Sequence, residues 1–406
     1  MKKILFISYY FFPPYYSGKL IAAVKRLQDI DPAKFEVVVF TGGVKRYPSE
    51  TRSGNLHIYR SPYLGEGKIT KRLTVLIYWV WSLMKFLFEK NVSVIHFDEA
   101  KGISIPLCDA ASLRSAWSHF GLLAKIASIR KIRTIYEHAT SAIEGNEGHF
   151  SPDQWSMKFY QKVDFIVCVS DALYEAVHKL YPEKGYKIVY GVEDDVFMPL
   201  DDRSKIFIRT EEGVGEEEIV FCFLGLVVKR KGFDLISEVF PKVLQEYPNS
   251  ILWCIGPRNH VESRHIHDDE IRGYLDLLEP VRNHVKFWGM IKDRTYLAKI
   301  LGAADVLLLP TRREGFGLAP AEAMSCGIPP IIARIPGVTD LANIEGETGF
   351  YITPGSADEL RKAMLNLARD RALRERMGRK ARQRVVNAFS WKQHVAEWER
   401  LYAEHF

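Results

Sequence analysis

Short apolar runs alternate with amphipathic stretches along most of this chain. In the first half, runs rich in β-branched and aromatic residues occur at 4–8, 35–40, 56–60, 92–96, 132–137, 165–170 and 186–190. Between them, apolar positions three or four apart predict helices over 20–29, 72–89, 112–128 and 171–180. Apolar strands separated by helical crossovers indicate an α/β protein with a doubly wound parallel sheet. At 197–218 the pattern turns polar, with proline and glycine, and predicts a linker. A second series follows: strand 219–224, helix 233–247, strands 250–255 and 285–288, helix 294–301 and strand 305–310.

A chain of 406 residues is long for one core, which favours two domains. The expected division is 1–197 and 198–389. The tail 390–406, with Trp391, Val395, Trp398, Leu401 and Tyr402 at helical spacing, forms a final amphipathic helix. Residues 73–88 (LTVLIYWVWSLMKFLF) follow Lys68, Lys71 and Arg72. They suit a buried domain helix first, and second an interfacial helix that brings the protein to an anionic membrane.

With 47% hydrophobic and 26% charged residues, the composition is that of a globular enzyme. The net charge of +6 suits an anionic substrate or membrane surface and is too mild and scattered for nucleic-acid binding. Cys108, Cys168, Cys222, Cys254 and Cys326 are odd in number and lack C-x-x-C spacing, so a reduced, cytoplasmic protein is expected. The apolar N-terminal stretch runs into Pro13-Pro14 without a small-residue cleavage site and is read as a strand. No uninterrupted apolar span of 18 residues predicts a transmembrane helix.

The chemistry concentrates in 311–330, TRREGFGLAPAEAMSCGIPP. An apolar strand leads into Glu314, the turn Gly315-Phe316-Gly317, and a helix-forming run from Leu318 that closes at Gly327. Strand, glycine turn and helix form a ligand crevice in open α/β sheets, and the first amides of the helix favour a diphosphate. Glu314 and Glu322, with seven residues between them, can accept hydrogen bonds from sugar and ribose hydroxyls. Residues 258–269 hold three histidines and several acids, but the spacing fits no closed metal site, so neither a metal nor a cofactor is expected.

The E-x7-E pair around G-F-G-L, followed by E-A-M-x-C-G-x-P, resembles the donor signature of retaining GT-B glycosyltransferases of the family-four, or group 1, type. The resemblance covers most of the chain and is strongest over 221–353. It implies two facing Rossmann-like domains with a cleft between them, the final helix completing the first. It also implies a nucleoside-diphosphate sugar donor, a glycan, lipid-linked or small-molecule acceptor, and work in the cytoplasm or at the inner face of the membrane. By this resemblance Glu314 orients the transferred sugar and Glu322 holds the ribose. Lys231 clamps the diphosphate, and His138 faces the sugar. Gly18 lets backbone approach phosphate, and Gly315, Phe316, Gly317 and Leu318 line the donor. The family's usual arginine is Leu226 here, which leaves Arg230 or Lys229 as the second cation. Base recognition is expected near residues 289–292. A nucleotide-sugar 2-epimerase and a non-catalytic sugar-nucleotide-binding subunit remain as alternatives.

Overall fold

A computed structural model describes residues 1–9, 11, 18–45, 47–65, 67–98, 110–138, 159–258, 268–312, 314, 316–335 and 344–405. The chain divides into two compact units, Met1–Tyr190 with Lys392–Phe406, and Gly191–Trp391.

The first unit is built on eight strands: β1 (Lys2–Ile7), β2 (Phe35–Thr41), β3 (Glu50–Ser53), β4 (Leu56–Arg60), β5 (Val92–Phe97), β6 (Arg133–His138), β7 (Phe165–Cys168) and β8 (Gly185–Lys187). Their order is β3-β4-β2-β1-β5-β6-β7-β8. All neighbours are parallel except β3 and β4, which form an antiparallel hairpin at the sheet edge. β3 carries no apolar run, which is why the hydrophobic pattern misses it; its polar, exposed sequence suits an edge. The helices described are α1 (Gly18–Asp29), α2 (Lys68–Phe88), α3 (Ala110–Ile129) and α4 (Asp171–Leu180). Ile4 to Ile7, Val37 to Phe40 and Val94 to Phe97 are buried, as a sheet covered on both faces requires.

The second unit has a six-stranded parallel sheet in the order β11-β10-β9-β12-β13-β14. These strands are β9 (Ile219–Leu224), β10 (Ser250–Ile255), β11 (Val285–Gly289), β12 (Val306–Leu309), β13 (Pro330–Ala333) and β14 (Phe350–Ile352). Around them lie α5 (Asp202–Glu211), α6 (Phe233–Glu246), α7 (Asp268–Leu278), α8 (Arg294–Gly302), α9 (Leu318–Ser325), α10 (Ala357–Arg369) and α11 (Arg371–Ala388). The sheet grows outward from β9 to β10 and β11, then returns to place β12 on the other flank of β9.

The stretch 197–218, expected as a linker, instead contains α5. Asp201 caps this helix by accepting from the Ser204 amide at 2.9 Å. Lys205 and the mostly buried Arg209 hold it on Asp305, at the start of β12. Its polar sequence hid it, because its anchors to the unit are ionic rather than an apolar stripe. The change of unit also comes earlier than 197. Phe197 is buried in the second unit, where its carbonyl accepts from Ser325 Oγ at 2.6 Å and Arg382 Nη1 at 2.9 Å.

The final helix, α12 (Trp391–His405), belongs from Lys392 onward to the first unit. Trp398 stacks under the Arg26 guanidinium, 3.9 Å from ring to carbon, and the Tyr402 hydroxyl lies 2.8 Å from His96 Nδ1. Cys168, Cys222, Cys254 and Cys326 are free and buried; Cys108 lies outside the described residues.

Candidate functional site

The point where β9 and β12 diverge is the switch point of the second sheet, the position at which open α/β sheets place ligands. Close packing at this end depends on glycine. Gly256, at φ +135°, follows β10, and a Cβ there would come within 2.0 Å of the Gly225 carbonyl oxygen just after β9. Gly232, at φ +78°, ends a short 3-10 turn (Lys229–Lys231); a Cβ there would meet the Pro310 carbonyl oxygen at 2.0 Å. The turn after β9 therefore lies flush against the loop after β12.

Polar bonds lock these two loops. Arg312 donates to both carboxylate oxygens of Asp234, at 2.7 and 2.8 Å, and its amide donates to the Arg230 carbonyl at 2.8 Å. Thr311 Oγ1 donates to the same carbonyl at 3.1 Å. A fork-to-carboxylate pair fixes orientation as well as distance. The result is a direct ion pair between Lys231 Nζ and Glu314 Oε2, residues 83 apart in sequence. Both side chains are mostly shielded, at 15% and 16% exposure. A partly buried ammonium beside a carboxylate can exchange that partner for a phosphate oxygen.

Beyond Glu314 the chain turns through Gly317, at φ +86°, into α9. A glycine N-cap brings no side chain to the first turn of this helix. Glu322 lies on α9 and is buried, 7% exposed. Its Oε1 accepts from Arg294 Nη2 at 2.9 Å, and the Arg294 Nε pairs with Glu193. Burial raises the Glu322 pKa above the usual carboxylate value, and Arg294 offsets only part of that shift. Burial alone would lower the Arg294 pKa, but the two carboxylates outweigh it and raise it.

Arg294, Glu193, Arg312 and Asp234 were not among the sequence candidates, although Asp234 lies three residues after Lys231. Arg294 did leave a signal. It is the first residue of α8, behind the Asp293 cap, where a cation opposes the helix dipole and so needs another partner. It also lies two residues beyond the stretch expected to recognise the base, which leaves β11 at Gly289.

The other candidates fall in several places. His138 is the last residue of β6, in register with Cys168 of β7, and Gly18 is the first residue of α1. Gly315 lies outside the described residues, as does most of the histidine-bearing stretch. The Phe316 ring is buried edge-on against Phe389, with centroids 5.8 Å apart, so it is packed into the unit rather than displayed. Leu226 packs partly against the core and leaves no cation at that position. Arg230 is exposed one residue before Lys231. Among the described residues no cluster of His, Cys, Asp or Glu could hold a metal ion.

A second buried pair lies in the first unit, one residue before His138. Glu137 Oε2 accepts from Arg26 Nη2 at 2.9 Å, and Glu137 Oε1 accepts from the Tyr190 hydroxyl at 3.0 Å. Arg26 and Glu137 are both 0% exposed. Burial alone would lower the Arg26 pKa, but Glu137 outweighs it and raises it.

Residues 204–384 match the sequence model described as Glycosyl transferases group 1. The N-acetyl-alpha-D-glucosaminyl L-malate synthase of Bacillus anthracis is 26% identical over 249 residues, which span 60% of this chain and 60% of that relative. Among solved structures, the sucrose-phosphate synthase of Thermosynechococcus elongatus superposes with a TM-score of 0.78 at 19% identity, covering 100% of this chain and 99% of that one. Anabaena HepE, solved with UDP and glucose, gives a TM-score of 0.71 at 16% identity, covering 99% of this chain and 100% of that one.

Proposed function

From residues 204–384, which belong to the glycosyl transferases group 1 family, and from the GT-B fold of the chain, we propose a retaining glycosyltransferase that uses a nucleoside-diphosphate hexose. The observation that carries this reading is the convergence of Lys231 and Glu314 at the switch point of the second sheet, with Glu322 on the helix that follows. A diphosphate would draw Lys231 from Glu314, and the released carboxylate would accept from sugar hydroxyls. Glu322 would accept from the ribose while Arg294 holds its other oxygen. Backbone amides at Gly317 and Leu318, with Lys231 and the neighbouring Arg230, would stabilise charge on the leaving group.

In the reaction the bond from the anomeric carbon to the diphosphate oxygen breaks. A bond to an acceptor hydroxyl forms on the same face, and the hydroxyl proton passes to the departing phosphate. No covalent enzyme intermediate is required. His138 and Gly18 keep the parts that the family resemblance implies. The acceptor is a sugar, a glycolipid or a small molecule. The free, buried cysteines suit the reducing cytoplasm. The match of residues 204–384 to the sequence model described as Glycosyl transferases group 1 favours this reading over an epimerase or a binding subunit.

Calorimetry with UDP and GDP, run beside turnover assays, tests the proposal. Glu322→Ala should weaken nucleotide binding, while Glu314→Ala should chiefly lower kcat. Lys231→Ala should cost about 2–4 kcal/mol of transition-state stabilisation. Wild-type binding and turnover in all three variants would refute the site. Binding without turnover in the wild type would leave a scaffold subunit.

A further inference from the structure

Helix α2 is apolar on its outer face as well as toward the core. Its inward row is Thr74, Tyr78, Ser82 and Phe86, all buried. Three of these four carry a hydroxyl: Thr74 Oγ1 donates to the Thr70 carbonyl at 2.8 Å and Ser82 Oγ to the Trp79 carbonyl at 3.1 Å, both within the helix, and the Tyr78 hydroxyl donates to the Phe40 carbonyl at 3.4 Å. Every exposed side chain from Leu73 to Phe88 is apolar: Leu73, Leu76, Val80, Met84, Leu87 and Phe88. Val80 is 57% exposed and Phe88 76%. Single exposed leucines are ordinary, but a full helical face of them marks a surface with a partner.

The patch continues onto α3. Arg130 Nη1 and Nη2 donate to the carbonyls of Phe86 and Glu89, both at 2.7 Å, which ties the ends of the two helices together. On α3, Leu122 and Ile129 are exposed as well, Ile129 at 74%. The charge along these two helical stretches is nearly all positive. Residues 68–90 and 110–133 together hold ten Lys and Arg and a single acid, Glu89. Lys3 already pairs with that acid at 3.1 Å. No helix among the described residues is long and apolar enough to cross a membrane.

We propose that the exposed apolar face of α2, extended by Leu122 and Ile129, docks onto an anionic lipid surface. The helix would lie in the plane of the bilayer, its leucines, valine and methionine reaching the acyl boundary and the flanking cations meeting lipid phosphates. A second copy of the chain fits this face poorly, because a two-fold contact would set the same basic rim against itself. The docking is independent of the donor site, so it stands or falls apart from the proposed transfer reaction.

Co-sedimentation of the full chain tests it, with vesicles of phosphatidylcholine alone and of phosphatidylcholine mixed equally with phosphatidylglycerol. The mixed vesicles should bind the protein, more weakly as salt rises, and shift the fluorescence of Trp79 and Trp81 to the blue. The triple variant Leu76→Ser, Val80→Ser, Met84→Ser should bind at least about tenfold more weakly, since three apolar side chains no longer leave water. Its melting curve and UDP binding should stay those of the wild type. Wild type that ignores anionic vesicles, or binds neutral ones equally, overturns the proposal. So does a triple variant that binds as the wild type does, or wild type that self-associates through this face in sedimentation velocity while leaving vesicles free.

Discussion

Each unit buries a glutamate against an arginine, and the two pairs differ in what surrounds them. Around Arg26 and Glu137 the enclosure is complete: both are fully buried, with Trp398 under the guanidinium and Tyr190 on the second carboxylate oxygen. Around Arg294 and Glu322 it is incomplete, with side-chain exposures of 28% and 9%. Arg294 is also shared with Glu193. A sealed pair with every oxygen engaged serves the fold. A pair at the rim of a switch point, with a carboxylate oxygen still available to a hydroxyl, serves a ligand. Burial of charge alone does not separate the two; the remaining access does.

The largest effect should come from breaking the sealed pair. Glu137→Ala leaves Arg26 charged and unpaired in the core, and denaturant melts should show a loss of about 3–5 kcal/mol. Glu137→Gln, which keeps an acceptor for Tyr190, should lose less. Breaking the open pair should appear in binding first. Arg294→Ala should cost about 2–3 kcal/mol of nucleotide affinity, the scale of a charged hydrogen bond. Without Arg294, the already raised Glu322 pKa rises further, so affinity should weaken as pH falls and the carboxylate takes a proton. Stability should follow the opposite sign. A raised folded-state pKa favours the fold below the unfolded value near 4.5, and that contribution is lost as pH rises through the folded value. The variant's stability deficit should therefore show at neutral pH and shrink in acid.

The smallest effect sharpens the sealed side. His394 Nδ1 donates to the Val189 carbonyl, 2.7 Å away, and burial with the nearby Arg26 lowers its pKa to about 3. The unfolded chain takes up this proton near pH 6.5, so stability is whole above that value and falls below it. The loss from this histidine should be about 2 kcal/mol between pH 6.5 and 5. His96, lowered in the same direction by burial, adds to it. Melts of His394→Asn across this range should show a shallower acid limb than the wild type.

The sequence showed most clearly what is local. The strands announced themselves because a parallel sheet buried on both faces needs continuous apolar runs, and 219–224 and 250–255 coincide with β9 and β10. Glu314, Lys231 and Glu322 lie in short motifs, each readable within one window of sequence. What was hidden depends on partners far along the chain. Arg294 meets Glu193 across 101 residues and Arg312 meets Asp234 across 78, and no window of sequence contains either pair. Helix α5 was missed because its hold on the unit is ionic, through Asp305. Helix α2 was half legible: its apolar content suggests burial, yet a second apolar face stays exposed.

The return of α12 to the first unit has a consequence for the order in which this protein can be made. Synthesis runs from the N-terminus, so Met1–Tyr190 emerges first but lacks Trp398, Leu401 and Tyr402, which complete its interior. The contiguous unit Gly191–Trp391 has every residue it needs before those arrive. The unit made first is thus the last to close. Through that interval Arg26 and His96 lack the Trp398 and Tyr402 that pack on them, a window in which a nascent chain is most exposed to aggregation and most dependent on chaperones.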